Sequence, residues 1–536
     1  MKHLKKFMLL VLAAALVLST FAACGGDVQE KPQPSTSQEP STGTESTGTE
    51  TETTGLSRIV VIAQNNDLTT LDPHQHNDLI SGNVTRMLYD TLIRLNDKNE
   101  YVPCLAQSWE YLDKNTVELK LTPDVQFHDG HVMTSEDVKY SLERQKASSF
   151  CGYLLDMITT IEIVDELTLK LTVVDESAAL LSSLAHQCSS ILPKEYTEKL
   201  EGEGKAFSDA PCGTGPYKFD YWNIGDECQI VRFENYFDEA YAAKNEGLKF
   251  RYIAEDNSRV IALETGEVDM ILRVPSTSVA SLEGNSDVKV LRFESCDLNY
   301  ISPNCSGPLF SNEKLRQAIA HCIDRDAMIQ VQCNGNAVPN FAPIGIAAIG
   351  YSEPATKREY DLEKAKQLLV EAGYPDGFEF TLSVWGDLNA KSAQVLQAAC
   401  QQIGVKVNIE ILDNSSMVDK CGGAKHDAGM DNWTANSEPD NTYRPWFSRE
   451  LIGAGGYNWS CYPGEEIEAL MEKALSVTDP AERQSYYTQI NDFVAEHAVV
   501  WPLFSAQGMV ATRSNVDGIQ LYPTMMHLFQ FVTVAE

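Results

Sequence analysis

The sequence predicts an α/β fold. Short runs with strand periodicity alternate along its 536 residues with longer stripes of helical periodicity. The length is enough for about two to four domains with sizeable cores. The alternation of strands and helices argues against an all-α architecture.

The N-terminus comes first. Lys2, Lys5 and Lys6 head an almost unbroken apolar run from Phe7 to Leu18. A spanning helix needs about 20 apolar residues, so residues 1–23 are expected to be a secretion signal. Phe21-Ala22-Ala23-Cys24 sets small residues before a cysteine, as bacterial lipoprotein signals do, with Phe21 where Leu is usual. Cleavage would leave Cys24 as a lipidated N-terminus. Buried acyl chain contributes about 0.8 kcal/mol per methylene, so two or three chains hold a protein at a membrane. Residues 24–55 are rich in Pro, Ser, Thr, Gly and Glu and nearly devoid of apolar side chains. Such a segment buries too little to offset its ordering entropy and is expected to be a disordered tether.

Order is expected from Arg58 to Ala63, an apolar run that fits a buried strand. A helix is predicted over Gly82–Ile93, with Val84, Met87, Leu88 and Leu92 on one face. Val117, Leu119 and Leu121 alternate as a strand does. Thr134-Ser135-Glu136-Asp137 has the form of a capping box opening a helix. Ile161, Ile163 and Leu167 to Val173 make a hairpin around Asp165-Glu166. The region of about 95–209 is therefore expected to be a subdomain of its own. Gly213-Thr214-Gly215-Pro216-Tyr217 is a stiff turn leading into strands up to Phe233. A short helix over Ile261–Asp269 and a strand over Val288–Phe293 follow.

The second half is more helical. Leu315, Ala318, Ile319, Cys322 and Ile323 share a face after a Ser311 or Asn312 cap. Leu362 to Ala372 run from an Asp361 N-cap to a Gly373 stop. Ile467 to Leu475 form another stripe. Asp479-Pro480-Ala481-Glu482 supplies an N-cap and a first-turn proline for a helix burying Tyr486, Ile490, Phe493 and Val494. Strands are predicted over Phe378–Val384 and Val405–Leu412.

Composition narrows function. The formal net charge is −34, from 42 Lys plus Arg against 76 Asp plus Glu, and the leader takes three lysines with it. So acidic a surface repels phosphate backbones, and nucleic-acid binding is not expected. Beyond Cys24 the chain has twelve cysteines and no C-x-x-C pair. Many lie in apolar contexts and are expected to be buried free thiols. No G-x-x-x-x-G-K-[ST], H-E-x-x-H or G-x-S-x-G occurs. His74, His76, His128 and His131 fall in loop-like phrases and are expected to be turn or surface residues, not metal ligands. No metal, cofactor or catalytic group is predicted.

One stretch does look like a binding site. Residues 431–447 pack aromatics, carboxylates and prolines together, and Gly453–Tyr462 follow with Gly455-Gly456-Tyr457-Asn458-Trp459. Glycines and prolines there argue against regular structure. Aromatic walls with a few polar groups are what a small-ligand pocket needs.

In order, the chain carries Leu71-Asp72-Pro73, Leu105-Ala106-Gln107-Ser108-Trp109, Val125-Gln126-Phe127-His128-Asp129-Gly130, Gly213-Thr214-Gly215-Pro216-Tyr217, Gly266-Glu267-Val268-Asp269, Leu315-Arg316-Gln317-Ala318-Ile319, Asp361-Leu362-Glu363-Lys364-Ala365-Lys366, Glu371-Ala372-Gly373-Tyr374-Pro375-Asp376-Gly377 and Trp433-Thr434-Ala435. This ordered set resembles the extracytoplasmic solute-binding proteins of ABC importers, in particular the peptide/nickel-binding family 5. The resemblance implies a bilobed, type 2 periplasmic-binding-protein fold with an extra α+β subdomain in lobe I. Lobe I would span 56–294, with the subdomain at about 95–209, and return over 500–536; lobe II would span 295–499. It implies a monomer that captures a peptide or similar polar solute and delivers it to permease subunits, with a separate ATPase supplying hydrolysis. Nickel or another metal chelate, haem or another non-peptide solute are the alternative ligands; an extracellular enzyme on the same fold and an extracellular receptor for peptide signals are the rival readings. Peptide-binding relatives carry an Asp shortly after the motif Trp, which pairs with the peptide ammonium. Here Asn436 stands there, and an amide cannot make that charge-assisted bond. The expected ligand-binding set is Trp433, Asn436, Glu438, Asp440, Trp385, Arg444, Tyr457 and Asn458, with Lys391 as a further basic candidate.

Overall fold

The computed structural model describes residues 57–96, 100–174, 178–435 and 438–535. The leader, the tether, Cys24 and Asn436 lie outside the described residues.

Three larger sheets organise the chain. The first has seven strands in the order Val288–Phe293, Gly508–Arg513, Met270–Leu272, Val60–Gln64, Gly247–Tyr252, Glu227–Arg232 and Tyr217–Asn223. Its centre is parallel: Val60–Gln64 runs alongside both Gly247–Tyr252 and Met270–Leu272. The second has six strands in the order Ala337–Pro339, Trp501–Ala506, Asp297–Pro303, Ala428–Thr434, Glu379–Trp385 and Lys406–Leu412. Here Glu379–Trp385 is parallel to both Lys406–Leu412 and Ala428–Thr434. The third is a small antiparallel sheet of Ala106–Tyr111, Thr116–Leu121, Thr168–Val173 and Ile158–Asp165.

Each sheet has its own core. Val60, Ile62, Met87, Leu88, Phe250 and Met270 meet behind the first. Val117, Leu119, Leu121, Leu169 and Leu171 close the small sheet on the helix Ser135–Lys146 through Val138 and Leu142. Helix Gly386–Gln401 buries Ala390, Ala393, Leu396, Ala399 and Cys400 against the second sheet. Each fully buried Leu, Val or Phe contributes about 1.5–3 kcal/mol, so every layer has a core of its own.

Most predicted elements form where their capping residues place them. The capping box pairs Thr134 with Asp137 in both directions. Asp361 accepts the Lys364 N–H, and Asp479 accepts the Glu482 N–H ahead of helix Pro480–Glu496. Gly266 ends helix Asp256–Thr265 at φ 78°, a left-handed turn open to glycine.

Several expectations need correction. The short helix expected over Ile261–Asp269 is Asp256–Thr265, capped by Glu255. The helix predicted over 82–93 is Leu79–Leu88, capped by Asp78. It stops because the Gly213–Gly215 turn sits on its end: the Gly215 N–H donates to Leu88 O at 3.0 Å. A Cβ on Gly213 would lie 2.2 Å from the same oxygen. The stripe from Leu315 to Ile323 is broken after Ala320, and Asp324 caps a second helix, Arg325–Cys333. Residues 431–447 are regular, not loop. They hold the end of strand Ala428–Thr434 and helix Asp440–Phe447, which contains Pro445. The helix survives its proline because Tyr443, Trp446 and Phe447 are buried and Arg444 pairs with Asp440 one turn away. Finally, His74 lies in the expected turn, but both it and His76 are buried: His74 Nε2 bonds Ser190 O at 3.0 Å, and His76 Nε2 bonds Thr85 Oγ1 at 3.3 Å.

The chain passes between the first and second sheets twice. It leaves after Phe293 and enters the second at Asp297; it returns between Ala506 and Gly508. Strand Trp501–Ala506 pairs with Asp297–Pro303, so the chain stays with the second sheet through Ala506.

Candidate functional site: the cleft between the two sheets

Both parallel sheet centres end their strands toward one crevice. Ligands of open α/β sheets bind at such carboxyl ends, where side chains of the first loop residues converge. On the first sheet, Asn65 follows strand Val60–Gln64 and Arg273 follows Met270–Leu272. On the second, Asn432 and Thr434 end strand Ala428–Thr434, and Asp297 stands opposite Thr434 in register. These side chains, with Asn83, Phe293, Leu388, Gln507, Met525 and His527, line a cleft of about 340 Å³. That volume suits a ligand of a few residues.

The cleft carries both signs of charge. Asp297 is 8 % exposed; Thr434 Oγ1 donates to its Oδ1 at 3.2 Å and Asn299 Nδ2 to its Oδ2 at 3.3 Å. Burial pushes its pKa up, while those donors and the more distant Arg273 oppose the rise. Arg273 adopts φ 53°, a left-handed backbone that arginine seldom takes. Its residue stays open on the cleft side, yet crowding around the guanidinium pulls its pKa down, against Asp297. Arg273 makes no hydrogen bond or ion pair with another described residue. His527 is buried, and desolvation first, then Arg86 and Arg273, push its pKa down to about 3. It is neutral at any physiological pH. Its Nδ1 accepts the Tyr522 N–H at 3.2 Å, which assigns the ring proton to Nε2. Asn65 Oδ1 is buried without a partner among the described residues.

None of the described residues expected from sequence lines this cleft, and Trp433 lies on the other face of strand Ala428–Thr434. Side chains alternate along a strand, so Asn432 and Thr434 face the cleft while Trp433 faces away. The Trp433 ring stands edge-on to Tyr457 at 5.2 Å and to Trp446 at 5.9 Å, and its Nε1 donates to Thr442 Oγ1. Glu438 is buried in a fork with Arg483, and Ser182 Oγ donates to it at 2.9 Å. Asp440 and Arg444 pair with each other at 2.7 Å. Asn458 is buried: it donates to Ser448 O at 2.8 Å and accepts from Ser460 Oγ and the Cys461 N–H. Trp385 is 38 % exposed at the end of strand Glu379–Trp385, one turn before the cleft residue Leu388. Lys391 is exposed further along that helix. The structure thus gathers Trp433 and Tyr457 into one aromatic cluster, and places Glu438, Asp440, Arg444 and Asn458 in contacts within the protein.

Arg273, Asp297, Asn432 and His527 were missed from sequence. The one available signal was the period of two along Asp431-Asn432-Trp433-Thr434, which assigns Asn432 and Thr434 to one face once the segment is taken as a strand.

Two α/β units joined by two crossings, with a mixed-charge cleft between their strand ends, define a bilobed solute-binding protein of the type 2 periplasmic class. The chain belongs to the bacterial extracellular solute-binding proteins, family 5: the model described as that family's "Middle" region matches residues 100–453. It is 31 % identical over 492 residues to the glutathione-binding protein GsiB of Pectobacterium atrosepticum, covering 89 % of this chain and 94 % of that protein. Among solved structures, HbpA2 from Haemophilus parasuis superposes with a TM-score of 0.82 at 27 % identity, covering 89 % of this chain and all of that one. DppA from Helicobacter pylori, in complex with the peptide STSA, superposes with a TM-score of 0.76 at 27 % identity, covering 90 % and 99 %.

Proposed function

We propose that this protein is the substrate-binding component of an ABC importer and that it captures a short peptide in the cleft between its two sheets. The observation that carries the reading is the cleft itself. It is sized for a few residues and sets a cation on one lobe against a carboxylate on the other. A free peptide has the same two charges at its ends. The names of similar proteins agree in chemistry: a glutathione-binding protein, and a relative holding a four-residue peptide. Lobe I is read as residues 57–294 with 507–535, and lobe II as 295–506. Closure of the lobes on ligand requires only that the closed form bind it more tightly.

The protein is proposed to act outside the cytoplasm, held by lipid on Cys24, as a monomer beside its permease. Calorimetry of the full-length protein in detergent with glutathione and with di-, tri- and tetrapeptides tests the ligand. Micromolar binding of at least one is expected; no heat with any of them removes the peptide reading. Detergent-phase partitioning of the wild type, lost in Cys24→Ser, tests the anchor.

A further inference from the structure

Arg273 is held by the main chain, not by side-chain partners. Its φ of 53° lies where glycine and asparagine are at ease, so the backbone after strand Met270–Leu272 accepts strain to aim this residue. Strain kept at a cleft residue calls for a reason, and the lining gives one. Arg273 has no carboxylate or carbonyl within bonding distance among the described residues. Asp297, its counter-charge, belongs to the facing lobe and is already engaged by Thr434 and Asn299 without closing on Arg273. Beside Arg273, His527 is neutral with its free proton on Nε2, so it adds a second donor and no acceptor. A guanidinium with a neighbouring imidazole N–H accommodates a carboxylate, because guanidinium offers paired donors that match two oxygens. A carboxylate has about four acceptor sites, so Asp297 keeps capacity for an ammonium beyond the Thr434, Asn432 and Asn299 side chains that bond it.

We propose that Arg273 is the carboxylate anchor of the cleft, with His527 Nε2–H beside it, and that Asp297 across the cleft takes the ligand's ammonium. The ligand is then a zwitterion seated with its acid end on lobe I and its amine end on lobe II. It bridges two opposite charges that do not touch, so each end favours lobe closure. This rests on the peptide reading of the cleft and adds the direction in which the chain lies.

The test crosses ligand changes with residue changes. Tri-alanine, its C-terminal amide and its N-acetyl derivative are titrated calorimetrically into full-length protein in detergent. The variants are Arg273→Asn, Arg273→Lys and Asp297→Asn. Asparagine tolerates the left-handed backbone, and Arg273→Gly, free at that φ, is a second charge-removing variant should the first unfold. Thermal unfolding of each variant checks its fold. For the wild type the amide is expected to bind about tenfold or more weaker than free tri-alanine. Arg273→Asn should lose the same factor for free tri-alanine and show no preference between the two, with Arg273→Lys recovering part. Asp297→Asn should behave likewise toward the N-acetyl derivative. If Arg273→Asn keeps the preference for the free acid, the anchor is elsewhere while the peptide reading stands. If tri-alanine does not bind at all, the same variants are compared by thermal shift with succinate, citrate, maltose and spermidine. A carboxylate that stabilises the wild type and not Arg273→Asn retains the anchor and removes the peptide. Stabilisation by maltose or spermidine alone, or by none, overturns both.

Discussion

The ring of Phe293 lies over the main chain of Gly508. The two are partners in register at the ends of Val288–Phe293 and Gly508–Arg513, where the chain passes between lobes. A Cβ built on Gly508 would sit 2.1 Å from Phe293 Cζ. The same ring lines the cleft and stands edge-on to His527 at 5.2 Å. The absence of a side chain at 508 therefore sets the wall of the cleft.

Gly508→Ala is expected to displace that ring. Overpacking of this kind costs about 1–3 kcal/mol, and the lost wall should weaken ligand binding as well. Phe293→Leu in the same chain should restore most of the stability by vacating the space. Urea unfolding of the single and double variants measures this; an unchanged midpoint in Gly508→Ala would show that the ring yields freely.

Glu438 and Arg483 tie the subdomain to the second lobe. Arg483 forks onto both carboxylate oxygens, and Ser182, on helix Ala179–Ala185, donates to one of them at 2.9 Å. Both partners of the ion pair are buried. Removing one partner of a buried pair leaves an uncompensated charge, which costs about 3–5 kcal/mol. Arg483→Met should lose that much, while Arg483→Met with Glu438→Leu should recover a large share. A double-mutant cycle gives the coupling; additive losses would mean the pair is not coupled.

How much of this could be seen in the sequence follows from the range of each signal. Caps and strand alternation are local, so Thr134, Asp361, Asp479 and the hairpin around Asp165 were placed correctly from neighbours alone. Pro445 misled for the same reason: local rules bar it from a helix, and what holds Asp440–Phe447 is the distant burial of Tyr443 and Trp446. The site was harder still. Asp297 and Thr434 are 137 residues apart and meet only through strand pairing. Arg273 carries no motif; its distinguishing feature is a backbone angle. The aromatic and acidic richness of 431–462 was real, but Trp446 and Trp459 are fully buried in core, and Glu438 and Asp440 are paired with arginines.

The cysteines give a prediction that needs no ligand. All twelve described cysteines are free, and eleven are buried, Cys333 being the partly exposed one. Burial pushes the Cys228, Cys296, Cys305 and Cys421 thiols up to about 12, which keeps the reactive thiolate scarce. A thiol reagent should therefore titrate Cys333 at most in the native protein and all twelve in urea. Reductant should leave the melting temperature unchanged. A shortfall of thiols in urea, restored by reductant, would reveal disulfides instead.

Asp431 sets a pH dependence with a definite sign. It lies opposite Tyr300 on the face of strand Ala428–Thr434 turned from the cleft, and is 8 % exposed. Desolvation pushes its pKa from 3.8 up to about 7; the Asn432 N–H opposes the rise and Asp297 adds to it. The folded state thus holds a proton that the unfolded chain has already released above about pH 4. The unfolded state binds fewer protons in that window, so stability falls as pH rises toward 7 and levels off beyond. Asp431→Asn keeps the shape and removes the titration. Between pH 5 and pH 8 the wild type should lose on the order of 2–3 kcal/mol relative to this variant, at 1.36 kcal/mol per pKa unit. Urea unfolding of both proteins at the two pH values measures the gap. A gap that stays constant would mean that Asp431 is already ionised in the folded protein at pH 5, and that its burial is relieved by water reaching the strand.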